Sequence, residues 1–294
     1  MYERILVPLD GSKLAEQVFP YVAELAKAFS SEVILIGICE PEESEYGQAC
    51  RLYMGNEAEI LKSITEGSAV EVRTVVIVGK PAGEILDYAE ENDIGLIIMA
   101  SHGRSGIMPW SLGSTVTKVL HKVGIPLIIV RAKETPVAPE ETGLFGRILV
   151  PLDGSERSEA VLPYVAEITK KLESEIILLQ VVEAGRHVHT IGGLDYIPFK
   201  DQDINFKKTN AQKYLGEASS KLAGTKATVK CEARVGDGAG GIIKFASETD
   251  CSLIAISSHG YSGIEAWIHG GVAYKILQAS DKSVLLVPSP KVQS

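Results

Sequence analysis

Two segments of the sequence carry polar residues and glycines suited to ligand binding. The first is Asp10-Gly11-Ser12, directly after an apolar run; in the second, Ala100-Ser101-His102-Gly103 is followed nine residues later by Gly113-Ser114-Thr115. An Asp between a strand and a helix can accept hydrogen bonds from ligand hydroxyls or cap its own helix. A glycine and hydroxyl residues at a helix start suit phosphate, because they offer N–H and O–H donors at the positive end of the helix dipole. For Ser114, the alternative is simple N-capping.

Both segments occur twice in the chain. Residues 4–12 return unchanged as residues 147–155, and Ser101-His102-Gly103 returns as Ser258-His259-Gly260. Between the two motifs the offset grows from 143 to 157, so the second repeat holds 14 additional residues. We place them within residues 185–210, where glycines, proline and charges predict a longer loop leading into a helix.

Short apolar runs alternate with segments of helical spacing in each repeat. In the first repeat they predict strands at 5–8, 32–38, 70–78, 96–100 and 127–131, and helices at 14–29, 56–68, 81–92 and 113–122. Such an alternation predicts an α/β fold, here two doubly wound five-stranded parallel-sheet domains of the Rossmann-like type. We expect the domains to span 1–132 and 146–290, with a linker at 133–145. Ligands of such sheets bind beyond the carboxyl ends of the strands, where the strand order reverses.

Composition excludes several classes of protein. The 294 residues carry a formal net charge of −9 and are 45% hydrophobic, which fits two globular domains. No apolar run approaches the ~20 residues of a membrane span, and Met1 leads directly into a predicted strand, so we expect a cytoplasmic protein without a membrane partner. Sparse Lys/Arg clustering argues against nucleic-acid binding. The four cysteines form no CxxC pair and have no nearby histidine, so we interpret them as small apolar residues, with no metal site.

Pro8-Leu9-Asp10 and the spacing Ala100-x2-Gly103-x9-Gly113-Ser114 closely resemble the universal stress protein family and its G-x2-G-x9-G-(S/T) nucleotide motif. The resemblance covers residues 1–131 and 145–290. It implies binding of ATP or AMP, with Mg²⁺ left open: the Asp holds ribose or the base edge, the second strand supplies an apolar wall, and the glycine-rich segment surrounds the phosphates. The implied site residues are Pro8, Leu9, Asp10, Ile38, Met99, Ala100, Gly103, Gly113, Ser114 and Thr115. Ala100 departs from the motif by one methyl group, which we expect binding to survive.

The second repeat departs further from the family motif. Ser257 stands at the first glycine and Gly271 at the final Ser/Thr, so the hydroxyl that faces phosphate is missing. The resemblance therefore implies a second, weaker site, formed by Leu152, Asp153, Val181, Ile256, Gly260, Gly270 and Gly271.

The resemblance implies a tandem, nucleotide-responsive stress or signalling regulator in which catalysis is not required. Two alternatives stay open: slow ATP hydrolysis or self-phosphorylation on Ser114 or Thr115, and a partner-binding protein with vestigial nucleotide sites. In relatives that dimerise, the last strand is the contact edge. The apolar fifth strands at 127–131 and 284–288 therefore predict an intramolecular pseudo-twofold pair of domains, with a further homodimer left open.

Overall fold

The contacts of the chain divide it into two compact units. The computed structural model describes residues 1–39, 47–106, 111–134, 143–190, 193–258 and 271–289. The first unit contains Met1–Leu144 together with Ser283–Pro288, and the second contains Phe145–Lys282 and Ser289. The last strand of the sequence is therefore grouped with the first repeat.

Strands and helices alternate along the first repeat. Its strands are β1 (Arg4–Leu9), β2 (Glu32–Cys39), β3 (Glu71–Val78), β4 (Leu96–Ala100) and β5 (Leu127–Val130). Its helices are α1 (Phe19–Phe29), α2 (Gly47–Ile64), α3 (Pro81–Glu91) and α4 (Ser114–Leu120), and a 3₁₀ turn (Ala15–Val18) precedes α1.

The second repeat follows the same plan with additional elements. Its strands are β6 (Arg147–Pro151), β7 (Glu175–Val182), β8 (Gly185–Thr190), β9 (Gly193–Pro198), β10 (Thr228–Val235), β11 (Leu253–Ser257) and β12 (Ser283–Val287). Its helices are α5 (Glu156–Glu159), α6 (Leu162–Lys171), α7 (Asp201–Ser219), α8 (Gly238–Glu248) and α9 (Val272–Ala279), with a 3₁₀ turn at Ser220–Leu222.

The sheet of the first unit has the strand order β12-β5-β4-β1-β2-β3. All neighbours are parallel except β12, which runs antiparallel to β5 with Val284 opposite Ile129. The direction of winding reverses at β1, because β2 lies on one side of it and β4 on the other. The carboxyl ends of β1 and β4 therefore flank the position at which doubly wound sheets bind ligands.

Helices cover both faces of this sheet. Alternate residues of a strand point to opposite faces, and on β2 Gly37 lies against α2 while Ile38 shares a cavity with residues of α3 and α4. Both faces are apolar: β4 and β5 are buried along their whole length, as are Val33 to Ile36 of β2. The sequence-based prediction of a mainly parallel α/β fold is confirmed.

The sheet of the second unit has the strand order β10-β7-β6-β11. Each of these strands runs parallel to its neighbours. A carboxylate links three strands at the same place in both repeats. Glu32 binds Arg4 Nε at 3.0 Å and Arg73 Nε at 2.7 Å, and Glu175 binds Arg147 Nε at 3.4 Å and Lys230 Nζ at 3.0 Å. These half-exposed ion pairs fix register more than they add stability.

Three local predictions were wrong. Helix α2 begins at Gly47 rather than at residue 56, because the Gly55-Asn56 pair interrupts its apolar pattern without ending the helix. The predicted helix 14–29 is a 3₁₀ turn followed by α1, since Pro20 occupies the first turn of α1. The predicted loop at 185–210 holds the antiparallel pair β8–β9 and the start of α7. A strand pair apart from the main sheet needs no sustained apolar face, so periodicity did not reveal it.

The predicted boundaries 1–132 and 146–290, the linker 133–145 and the pseudo-twofold pairing of the two repeats stay predictions. Residues 135–142 of the linker lie outside the described part of the chain.

Replacing Ile129 by Asp should destabilise the first unit by about 3 kcal/mol or more, because it buries an unpaired charge. Ile129 is 3% exposed and lies opposite Met99 of β4 and Val284 of β12. Urea unfolding measures the loss, and Ile129→Val, which only shortens the side chain, should cost about 1 kcal/mol. Equal stability of the Asp variant and the wild type would contradict the burial of this strand.

Candidate functional site

A cavity of about 320 Å³ lies at the carboxyl ends of β1 and β4. All ten residues predicted for the first site line it: Pro8, Leu9, Asp10, Ile38, Met99, Ala100, Gly103, Gly113, Ser114 and Thr115. The remaining wall residues, which were not predicted, are Ala15, Pro81, Ile85, His102, Arg104, Ser105 and Val116. The fold thus brings the two polar segments of the sequence to one place; their role in binding stays a prediction.

Asp10 joins the loop after β1 to the loop after β4. Its Oδ1 accepts hydrogen bonds from Ser12 N at 3.0 Å and from Ser12 Oγ at 2.6 Å. Its Oδ2 accepts from Arg104 N at 2.8 Å, and Arg104 Nε donates to the Asp10 carbonyl at 2.5 Å. Gly11, between Asp10 and Ser12, has a φ of 83°, a conformation that favours glycine. The Asp10 carboxylate therefore shapes its own turn and positions the opposite loop.

The glycines of the motif are required by the chain itself. A Cβ on Gly103 would lie 1.9 Å from Asp10 Oδ2, so a side chain there would displace the carboxylate. A Cβ on Gly113 would lie 3.3 Å from the Ser101 carbonyl oxygen, a tight but smaller conflict. Gly103 thus permits the contact between the two loops, independently of any ligand.

Ser101 is a buried junction that sequence reasoning did not assign to the site. Its amide donates to the Val130 carbonyl and its own carbonyl accepts from Gly113 N, both at 2.8 Å. Its Oγ accepts from Ala132 N at 3.1 Å. The equivalent Ser258 Oγ accepts from Ser289 N at 3.0 Å, so the contact is repeated. The sequence signal for this serine is the presence of Ser-His-Gly in both repeats, which was not interpreted as a structural contact.

His102 places a neutral imidazole in the cavity wall. Its Nδ1 lies 3.1 Å from Ser101 Oγ, while its Nε2 is buried and has no hydrogen-bond partner in the described part of the chain. Burial, assisted by the charge of Arg131, lowers the pKa of His102 below its ordinary value of 6.5. The ring is therefore uncharged at neutral pH. Its contact with Ser101 holds the ring against the loop after β4.

The start of α4 supplies hydrogen-bond donors to the same cavity. Gly113 is the N-cap residue and offers no side chain to the helix. The N–H groups of Ser114, Thr115 and Val116 have no acceptor within the helix, as in the first turn of any α-helix. Together with the hydroxyls of Ser114 and Thr115 they can bind an anion.

The second repeat reproduces the Asp turn of the first. Asp153 Oδ1 accepts from Ser155 N at 3.0 Å and from Ser155 Oγ at 2.6 Å, and Gly154 has a φ of 90°. Leu152 and Ile256 are buried, and Val181 is half-buried. Gly271 is the N-cap residue of α9 and Val272 is its first residue. Neither carries a hydroxyl group, unlike Ser114 and Thr115 at the start of α4. Gly260 and Gly270, also predicted for this site, lie outside the described residues.

Comparison with known proteins gives the class of the molecule. The sequence profile of the universal stress protein family matches residues 1–131 and again residues 144–288. The chain therefore belongs to the universal stress protein family, in a tandem form.

Individual relatives match either one repeat or the whole chain. Universal stress protein YxiE of Bacillus subtilis is 31% identical over 147 residues, which cover 49% of this chain and 99% of that protein. Universal stress protein Slr1230 of Synechocystis is 20% identical over 313 residues, covering 96% and 99%. A crystal structure of a universal stress protein from Archaeoglobus fulgidus shares the fold, with a TM-score of 0.71, 19% identity and coverage of 98% and 99%. Within the described residues, no helix is both long enough and apolar enough for a membrane crossing.

His102 should make the stability of the protein depend on pH. Because its pKa is lowered on folding, the unfolded chain binds a proton more readily, and stability falls as pH decreases below the unfolded pKa of about 6.5. His102→Asn removes this titration, so its unfolding free energy should fall less than that of the wild type between about pH 7 and about pH 5. Urea unfolding at both values measures the difference. Equal slopes for His102→Asn and the wild type would contradict the burial argument.

Proposed function

We propose that the first repeat binds an adenine nucleotide, ATP or AMP, and that the protein is a stress regulator that responds to this nucleotide. The observation that carries the proposal is the convergence of all ten residues implied by the family motif on one cavity. The cavity combines an apolar wall, a carboxylate and a set of N–H and O–H donors, which correspond to base, ribose and phosphate.

The apolar part of the cavity suits a flat aromatic base. Ile38 lies on β2 and Met99 on β4, the two strands that flank β1. Ile85 of α3 adds a buried aliphatic side chain to the cavity wall. Small-molecule pockets combine such apolar walls with a few polar groups that fix orientation. A thioether in the wall adapts its shape to a ring more readily than a branched side chain.

Asp10 retains acceptor capacity for a ribose hydroxyl. Ser12 and Arg104 together donate three hydrogen bonds to its carboxylate, which has about four lone-pair sites. These donors also hold the carboxylate in one orientation, so a ligand would meet a preorganised acceptor. A preorganised group binds more tightly because less side-chain entropy is lost on association.

The phosphate end of the ligand is assigned to the start of α4. Ser114 and Thr115, in the first turn of α4, line the cavity together with Arg104. Charge-assisted hydrogen bonds to phosphate are stronger than neutral ones. In the second repeat Gly271 and Val272 offer backbone N–H groups alone, so we expect the second site to bind more weakly.

A Gly113→Val variant should lose most of the affinity for ATP, because the branched side chain enters the cavity wall beside the phosphate donors. Titration calorimetry of the full chain measures the loss, which we expect to be at least tenfold. Gly271→Val, the matched change in the second repeat, should leave ATP binding at the tighter, first site unchanged. Undiminished binding by Gly113→Val would place the nucleotide elsewhere.

Two further variants separate the ends of the ligand. Asp10→Ala should weaken adenosine and ATP alike, since its partner is on the nucleoside, whereas Ser114→Ala should weaken ATP by about tenfold and adenosine hardly at all. Calorimetric titration with both ligands gives the four affinities, and thermal unfolding shows whether each variant is folded. Asp153→Ala removes the same turn contacts from the second repeat and controls for the local effect of losing them. Equal losses for both ligands in both variants would refute the assignment.

A further inference from the structure

Three sulfur atoms meet on the face of β2 that lies away from the nucleotide cavity. Cys39 is the last residue of β2, and Cys50 and Met54 are one helical turn apart on the face of α2 that packs on it. Cys39 and Met54 are buried, and Cys50 is half-buried. Cys39 and Cys50 line the wall of one cavity. We name these three residues the sulfur cluster.

Gly37 allows α2 to bring its two sulfurs onto the strand. A Cβ at this position would lie 3.0 Å from Met54 Sδ and 3.1 Å from Cys50 Sγ. Both sulfurs therefore lie over the same glycine, and a side chain there would displace them. The cluster depends on a glycine within a strand, which otherwise weakens strand packing.

The second repeat shows that the fold itself does not require sulfur at these positions. At the repeat offsets, Cys39 corresponds to Val182 and Met54 to Ala211. Val182 and Ala211 pack together with Ala233 in one apolar cluster. Aliphatic residues thus fill two of the three sulfur positions, and Cys50 corresponds to Lys207, so the fold does not require sulfur at any of them.

The two cysteines of the cluster lie in the wall of a second cavity, while Met54 is buried beneath them. A cavity of about 520 Å³ is lined by Cys39 and Cys50 and, among others, by Tyr53, Asp10 and Arg104. Burial, with the Cys39 contact as a second cause, raises the pKa of Cys50 to about 11, while Arg104 and Arg51 act in the opposite direction.

We propose that Cys39, Cys50 and Met54 bind one Cu(I) ion. Thiolate and thioether sulfurs are the ligands that select Cu(I), which accepts low coordination numbers, whereas structural zinc takes four ligands. In the described part of the chain, no three His, Cys, Asp or Glu side chains gather as a metal site, so the thioether is the decisive third ligand. On binding, each thiol releases its proton to solvent.

Anaerobic titration of the reduced full chain with Cu(I), in competition with bicinchoninate, tests the proposal. We expect the wild type to retain one Cu(I) per chain and Cys50→Ser to lose it. Met54→Leu conserves the core volume and removes only the thioether, so it should lower the affinity at least tenfold without a matching loss of stability. X-ray absorption of the wild-type complex should show only sulfur neighbours around copper.

A matched control separates the cluster from general thiol binding. Cys231→Ser changes another half-buried thiol, whose Sγ lies 3.4 Å from the Leu215 carbonyl oxygen, and should leave Cu(I) retention unchanged. Circular dichroism and thermal unfolding establish that each variant is folded. Retention of Cu(I) by folded Cys50→Ser, or failure of the wild type to compete with the chelator, would overturn the assignment.

Discussion

The architecture of the candidate site depends on the carboxylate of Asp10. Through Ser12 it closes the turn after β1, and through the Arg104 amide it draws the loop after β4 against that turn. Gly103 has no side chain because this carboxylate occupies the space. One carboxylate thus joins the two loops that line the cavity, and the glycine at position 103 follows from that contact before any ligand is considered.

The sequence predicted the strands of the sheet but not the contacts within the loops. Continuous apolar runs such as Leu96 to Ala100 defined the parallel sheet, because strands covered on both faces leave no other pattern. The ten residues of the first site followed from the family motif. Arg104 and Ser101 were not assigned, since their contacts run through main-chain atoms whose positions depend on loop conformation. The β8–β9 pair was missed because pairing apart from the main sheet leaves no hydrophobic period.

The two repeats show which features a duplicated fold keeps and which it changes. The turn of Asp10 and that of Asp153 have the same hydrogen bonds, and Glu32 and Glu175 link equivalent strands. The helix start and the space beneath α2 differ, with Ser114 replaced by Gly271 at the repeat motif and sulfur replaced by Val182 and Ala211. The groups that determine the Asp turn and link the strands are the same in both copies, whereas the helix start and the residues packed beneath α2 differ.

The junction at Ser101 has a consequence for the motions of the protein. One residue receives the amides of Gly113 and Ala132 and donates its own amide to Val130, so three chain segments share a single buried attachment. Segments tied in this way cannot open one at a time without leaving buried polar groups unpaired. Hydrogen exchange at these amides therefore reports one cooperative opening event, in which the start of α4 and the end of β5 separate together.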